Sequence, residues 1–355
     1  MIMKKVLALA LAMVMVLGLL AGCGSQKAEK PASEPKAETP AAAPAAAPAA
    51  ASAEPIVIRF ANTQSEQDKA SVLIKEMCAE IEEKTNGGIK CELYPGGQLG
   101  TLNDIFEMQI QGANIVCLNG LDIMSDYVMD TAAPSGPYLF RNFEEIQKLT
   151  ASEWIDGINE DCKEFGVFGL SYNWIAGLRS YIGNVILEHP SDFVGKQLRG
   201  SNTSIHGMIL KSLGATHLTS NWNEVYTGVA NGTFDGCEAD LPLLFSTNLY
   251  EVCKYLNLTQ QHANINVMWI NTDFFNSLPE EYQQILCEES FKYGEMYAEY
   301  NKDNAATALK NFEEKGVEIH YVDFDEMAAA TRSVWDEYPG FSEGVYDTIR
   351  AIIDG

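Results

Sequence analysis

Arginine is scarce in this chain, with six residues among 355, and histidine occurs five times, at His189, His206, His217, His262 and His320. The histidines are scattered without pairing. No G-x-S-x-G elbow, no Walker loop and no H-E-x-x-H sequence is present, so the usual local signals for acyl transfer, nucleotide hydrolysis and zinc hydrolysis are missing. On this ground no catalytic residue, metal or cofactor is expected. The segment Pro95-Gly96-Gly97-Gln98-Leu99-Gly100 follows a predicted strand but lacks G-x-G-x-x-G spacing, and it reads as a loop that lets strand and helix approach closely rather than as a nucleotide cradle. Basic charge is also short, 24 Lys and Arg against 49 Asp and Glu, for a net charge of -25. A field of that sign argues against nucleic acid and anionic lipid as partners and leaves any anion site dependent on locally placed cations. Eight cysteines contain no C-x-x-C pair. With Cys23 set aside, the seven others read as buried free thiols, although an exported compartment permits a disulfide that the sequence does not assign.

What is present begins with an export signal. Lys4 and Lys5 precede an apolar run from Val6 to Leu20, and Leu20-Ala21-Gly22-Cys23 forms a lipobox. Residues 1–22 are therefore expected to be a lipoprotein signal peptide, with a lipid on Cys23 as the membrane anchor of the mature chain. The run is short for a bilayer-spanning helix. Removal of Lys4 and Lys5 takes the net charge to about -27. Residues 23–54 are dominated by Ala, Pro, Ser, Lys and Glu and cannot bury a core, so they read as an extended tether of about 3.1 Å per residue. The predicted location is the outer face of the cytoplasmic membrane, at the cell surface or in the periplasm.

From Pro55 onward some 300 residues remain, enough for two lobes. Strands are predicted over Ile56–Phe60, Ile89–Tyr94 and Ile115–Leu118, with helices over Asp68–Lys84 and Thr101–Gln111 between them. Ala70, Leu73, Met77 and Ile81 share one face of the first helix. This is a βαβ pattern and implies a parallel sheet. Glu144–Phe165 reads as helical and Val167–Ile186 as strand. Ser277-Leu278-Pro279-Glu280 places a serine three residues before a glutamate, a capping signal for a long helix running past Tyr300 toward Lys315, with a strand near Val317–Val322 after it.

Scarce arginines in sheet-like surroundings carry the binding hypothesis. A guanidinium gives a carboxylate two parallel hydrogen bonds that lysine cannot copy, which singles out Arg179 and Arg199. The alternative for each is a surface pair with one of the many acids. Across nearly the whole chain after the tether, the sequence resembles the TRAP-type (tripartite ATP-independent periplasmic) solute-binding family, whose type member binds C4-dicarboxylates. The matching segments, in order, are Leu93–Gly100, Gln109–Gly112, Pro137–Phe140, Ser191–Arg199 with Leu213-Gly214-Ala215, Glu224-Val225-Tyr226, Phe234–Glu238, Trp269-Ile270-Asn271 and Leu278-Pro279.

The resemblance implies an α/β, two-lobe periplasmic-binding-protein-like fold of the class II type, with the ligand cleft between the lobes and a long helix spanning both. Lobe 1 is expected over 55–176 plus about 290–329, and lobe 2 over 177–289 plus about 330–355. It further implies a receptor, not an enzyme, that takes a small organic carboxylate, a dicarboxylate or sugar acid, and delivers it to TRAP permease subunits. By position Arg199 is the carboxylate clamp, Arg179 a second donor and Asn264 a hydrogen-bonding partner. Asn119 and Asn62 would reach in from lobe 1, Trp222 would pack on the ligand, and Glu238 would read a polar group. Read from the residues alone, Asn62 and Asn119 also fit turns, Trp222 a core and Glu238 a surface acid. Two departures concern the far end of the pocket: Thr259-Gln260-Gln261 stands where the family often has Thr-Gly-His, and Gly200 where a valine commonly follows the clamp. An ABC-importer receptor, a surface enzyme acting on carboxylates and a sensor subunit are the competing functions.

Overall fold

The computed structural model describes residues 54–355; the expected signal peptide, Cys23 and all but the last residue of the expected tether lie outside them. Strand β1 (Ile56–Ala61), helix α1 (Lys69–Lys84), strand β2 (Ile89–Tyr94), helix α2 (Leu102–Ile110) and strand β3 (Ile115–Gly120) follow one another as the apolar periodicity requires. Asp68 Oδ1 caps α1 by accepting from Ala70 N–H, and Ala70, Leu73, Met77 and Ile81 form its buried face. Thr101 and Asp104 close α2 in a reciprocal capping box. β1 pairs in parallel with both β2 and β3, which is the expected βαβ arrangement. Two 3-10 stretches (Leu121–Asp126 and Met129–Ser135) lead to α3 (Phe143–Thr150) and α4 (Glu153–Lys163), so the helix expected over 144–165 is broken at Ala151-Ser152. There the Ser152 hydroxyl donates to the Leu149 carbonyl and ends the first helix.

Strands β4 (Val167–Gly169) and β5 (Trp174–Leu178) are followed, after the single residue Arg179, by β6 (Ser180–Gly183). Next come β7 (Gln197–Arg199), α5 (Ser204–Ser212), β8 (Thr216–Leu218), α6 (Val225–Ala230), β9 (Gly236–Ala239), α7 (Leu241–Ser246) and β10 (Tyr255–Leu258). The chain then runs through β11 (Ala263–Asn271), α8 (Thr272–Ser277), α9 (Glu280–Glu314) and β12 (Glu318–Tyr321) to α10 (Phe324–Thr331), α11 (Ser333–Glu337) and α12 (Val345–Asp354). Two mixed sheets result. One has the order β2-β1-β3-β11-β4 with β5 also on β11, and the other β12-β10-β6-β9-β7-β8.

The lobe boundaries expected from the sequence need correction. β11, placed in lobe 2, pairs antiparallel with β3, β4 and β5 in the first sheet, while β12, placed in lobe 1, pairs in parallel with β10 in the second. The C-terminal stretch divides as well. Met327 and Val334 join the core around Leu198 and Ile205, whereas Ile349 and Ile353 of α12 join Ile146, Ile175 and Ile265. The physical reason is that β11 is buried on both faces apart from Asn264. Such an apolar run marks a central strand but does not say of which sheet.

The expected serine cap of the long helix is also corrected. Ser277 ends α8, its hydroxyl donating to the Phe274 carbonyl, and Pro279 occupies the N-cap of α9 without a side-chain cap. α9 has 35 residues, about 52 Å at 1.5 Å per residue. Its early turns bury Ile285, Leu286, Tyr293 and Tyr297 in the core of the first sheet, and its last buries Phe312 in that of the second. The helix braces both lobes.

Candidate functional site

The two sheets meet at a cleft with a cavity of about 320 Å³, at the small end of the range usual for small-molecule sites. Arg199 enters it from the end of β7, where the strand is held between β8 and β9. Its guanidinium is buried, 6 % exposed. One hydrogen bond goes from Nη2 to the Ser220 carbonyl at 2.8 Å, and Nε has no partner among the described residues. Burial pulls its pKa down, the direction expected of a cation removed from water without a counter-anion. Trp222, half-buried on the same wall, lies with its ring centroid 5.4 Å from the Arg199 carbon Cζ. The aromatic expected to cover a ligand therefore also holds the Arg199 guanidinium by a cation–π contact.

Arg179 sits between β5 and β6, where the chain passes from one sheet to the other. Its N–H donates to the His262 carbonyl at 2.9 Å, and Gln261 N–H donates back to its carbonyl at 3.2 Å. Unlike Arg199 it is already paired. Nε and Nη2 donate to the two carboxylate oxygens of Glu238, and Nη2 also to the Glu238 carbonyl at 3.0 Å. Burial alone would lower the Arg179 pKa, but the Glu238 charge and hydrogen bonds hold it above its ordinary value. Glu238 is 1 % exposed and lies behind the cavity wall. It was expected to read a polar group of the ligand; its carboxylate is instead taken up by Arg179.

From the first lobe, Asn119 and Asn264 reach the cavity as expected. Asn119 Oδ1 accepts from Gly120 N–H at 2.8 Å, which leaves Nδ2 buried and without a partner among the described residues. Asn62 does not reach it. Its side-chain amide donates to and accepts from Ser71 of α1, so its polarity is consumed in tying β1 to α1, and its expected ligand role is corrected accordingly.

Three groups at the cavity had no sequence signal. Asp122, just after β3, accepts from the Thr203 hydroxyl at 2.9 Å across the cleft, and burial raises its pKa. His206 of α5 packs against His262, ring centroids 4.3 Å apart and planes tilted by 36°. All four of their ring nitrogens are buried without a hydrogen-bond partner among the described residues. Burial pushes His206 down to about 3 and His262 well below its ordinary value, so both rings are neutral. The two are 56 positions apart, and only the fold brings them together. Asn266, two residues beyond Asn264 in an apolar strand, had a signal in that spacing and was passed over.

His206, Glu238 and His262 place potential ligand atoms within 4.8 Å of one another. A dication there would share the Glu238 carboxylate with Arg179 and lie against that guanidinium, so the arrangement suits hydrogen bonding better than metal coordination. Of the sequence departures, Gly200 makes room for His217, which would meet a Cβ there at 3.0 Å and whose Nε2–H donates to the Ser201 carbonyl at 3.0 Å. Gln260 adopts φ +45°, a left-handed conformation that glycine takes without strain.

Residues 60–340 match the family described as bacterial extracellular solute-binding protein, family 7. The C4-dicarboxylate-binding periplasmic protein DctP of Rhodobacter capsulatus is 25% identical over 297 residues, 80% of this chain and 84% of that one. The sialic acid-binding periplasmic protein SiaP of Vibrio cholerae is 24% identical over 264 residues, 74% and 82% of the two chains. Among solved structures, a TRAP periplasmic solute binding protein from Actinobacillus succinogenes with bound L-galactonate is similar at a TM-score of 0.79 and 25% identity, covering 84% of this chain and 99% of that one. Another from Fusobacterium nucleatum with bound sn-glycerol-3-phosphate gives 0.81 at 23% identity, over 84% and 97%, and bears on the fold alone. These likenesses favour the TRAP-type reading over an ABC-importer receptor or an enzyme. The chain belongs to the bacterial extracellular solute-binding protein family 7, the extracytoplasmic solute receptors of TRAP-type transporters.

Proposed function

We propose that this receptor captures a small organic carboxylate on Arg199 and passes it to a membrane permease. The observation that carries the reading is the buried Arg199 guanidinium, which lacks an acidic partner in a cleft between two sheets. Each charge-assisted hydrogen bond formed there contributes roughly 1.5–3 kcal/mol net. Arg179, oriented by Glu238 at the crossing between lobes, is the second donor, and Asn119 and Asn264 approach from the opposite wall. The binding of L-galactonate and of C4-dicarboxylates by relatives supports an acid as the ligand. Closure of the lobes around it supplies a conformation that the permease can distinguish from the open one.

Arg199→Ala is expected to weaken binding of the cognate acid by about 2–5 kcal/mol, the usual effect of truncating one partner of a buried charged pair. Isothermal titration across a panel of organic acids measures this, and unchanged affinity would remove Arg199 as the clamp. The lipobox at Leu20–Cys23 supports attachment of the mature chain to the outer face of the membrane through a lipid on Cys23. Fatty-acid labelling of the wild type, lost in Cys23→Ser, is the expected result; labelling that survives the substitution would refute it.

A further inference from the structure

We propose that the cleft selects an acid with a single carboxylate and several hydroxyl groups, and that the packed His206–His262 pair is the subsite that reads those hydroxyls. The inference rests on Arg199 as the carboxylate site and extends it to the rest of the ligand.

Charge is the first argument. Among the described residues no lysine lines the cavity, and its two arginines are unequal, Arg179 being bound to Glu238 and Arg199 unpaired. The histidines are neutral. Asp122 and Glu224 are the other ionisable groups on its wall. One carboxylate thus finds one cation, while a second would lie among neutral groups and carboxylates. Burying an anion there without a partner is unfavourable.

Hydrogen-bonding capacity is the second. A neutral imidazole carries one N–H donor and one bare acceptor nitrogen. His206 and His262 together offer two of each, all buried and all without a partner among the described residues. A hydroxyl both donates and accepts, so a pair of adjacent hydroxyls matches a pair of neutral imidazoles. A carboxylate accepts only and would leave the two bare nitrogens unsatisfied. The unpaired Asn119 Nδ2 and the neighbouring Asn264 extend the same neutral polar surface. Asp122 lies 3.7 Å from His206 Nε2, so the subsite spans the closure between lobes.

The test is titration of the purified protein with galacturonate, succinate and glycerol 3-phosphate, for the wild type, Arg199→Ala, His206→Phe and His262→Phe. The expected result is binding of galacturonate at least a hundredfold tighter than of the other two, weakened tenfold or more by either histidine substitution and restored in part by His206→Gln. Circular dichroism and thermal midpoints distinguish a lost subsite from a lost fold. Should a phenylalanine variant not fold, His206→Leu and His262→Leu remove the same donors and acceptors with a smaller side chain. Succinate or glycerol 3-phosphate binding as tightly as galacturonate, with Arg199→Ala still abolishing it, would overturn the proposal while leaving the carboxylate clamp intact. Indifference of every acid to Arg199→Ala would instead remove the clamp itself. Stabilisation by zinc ion alone, lost in both histidine variants, would also overturn the proposal in favour of a metal site.

Discussion

At the scale of single residues the binding cleft has measurable consequences for stability. His206 takes up a proton near pH 6.5 in the unfolded chain, but burial holds it to about 3 in the fold. Its contribution is therefore complete above pH 6.5 and declines as pH falls below it, by up to about 1.4 kcal/mol per unit. Asp240 acts in the opposite sense. Burial raises it to about 6, so the fold gains relative to the unfolded chain as pH falls through 6. Comparing variants isolates the histidine: between pH 6.5 and 5, His206→Phe is expected to lose about 2 kcal/mol less than the wild type, read from urea midpoints at the two pH values. Equal losses would mean that His206 protonates in the folded cleft. Legibility at this scale followed chemistry and not distance along the chain. Arg199 stood out because arginine is scarce and its segment resembles a known one, whereas His206 and His262 are ordinary in sequence and become a pair only when α5 and the start of β11 pack together. Asn62, just after β1, and Glu238, within β9, were misread because a polar residue in or after a strand looks the same whether it faces a ligand or a neighbouring side chain.

Among the elements, α9 carries the clearest prediction. Gly294 is buried where the helix passes β5, and a Cβ there would lie 2.1 Å from Asn173 Oδ1 and 2.9 Å from Trp174 Cδ1. Alanine ordinarily favours an exposed helix by about 1 kcal/mol over glycine. Here the steric conflict with a fully buried tryptophan outweighs that gain, and Gly294→Ala is expected to destabilise by about 1–3 kcal/mol. A thermal midpoint at or above that of the wild type would show that the helix stands off from β5. The elements themselves were largely readable, since α1 follows an apolar period of 3.6 and β1 to β3 are short apolar-rich runs separated by helices. Their allocation to lobes was not. β11 is a nine-residue buried strand and β12 a short, largely exposed one, both with partners more than 50 residues away, and nothing local in Ala263–Asn271 or Glu318–Tyr321 names the sheet that receives them. The start of α9 was misjudged because Ser277 fits a capping pattern equally well as the last residue of α8.

For the molecule as a whole, the balance between net charge and local cation governs capture. The chain carries -25, so an approaching anion meets a repulsive field that extends about a Debye length, roughly 30 Å at 0.01 M salt and 8 Å at 0.15 M. In the proposed site the docked acid interacts with Arg199 inside a buried cleft, where mobile ions screen little. Association and dissociation must then respond differently to salt. Raising ionic strength from about 0.01 to 0.15 M is expected to increase the association rate several-fold while changing the dissociation rate by less than about twofold. Stopped-flow tryptophan fluorescence, with Trp222 at the clamp as reporter, resolves both rates. An association rate that falls with salt would mean that the field at the cleft mouth is set by Arg199 and Arg179 rather than by the acidic surface. The same measurement on Arg199→Lys, which keeps the charge and loses the planar fork, would then separate steering from grip: a matched association rate with faster dissociation assigns the arginine's advantage to geometry inside the closed cleft.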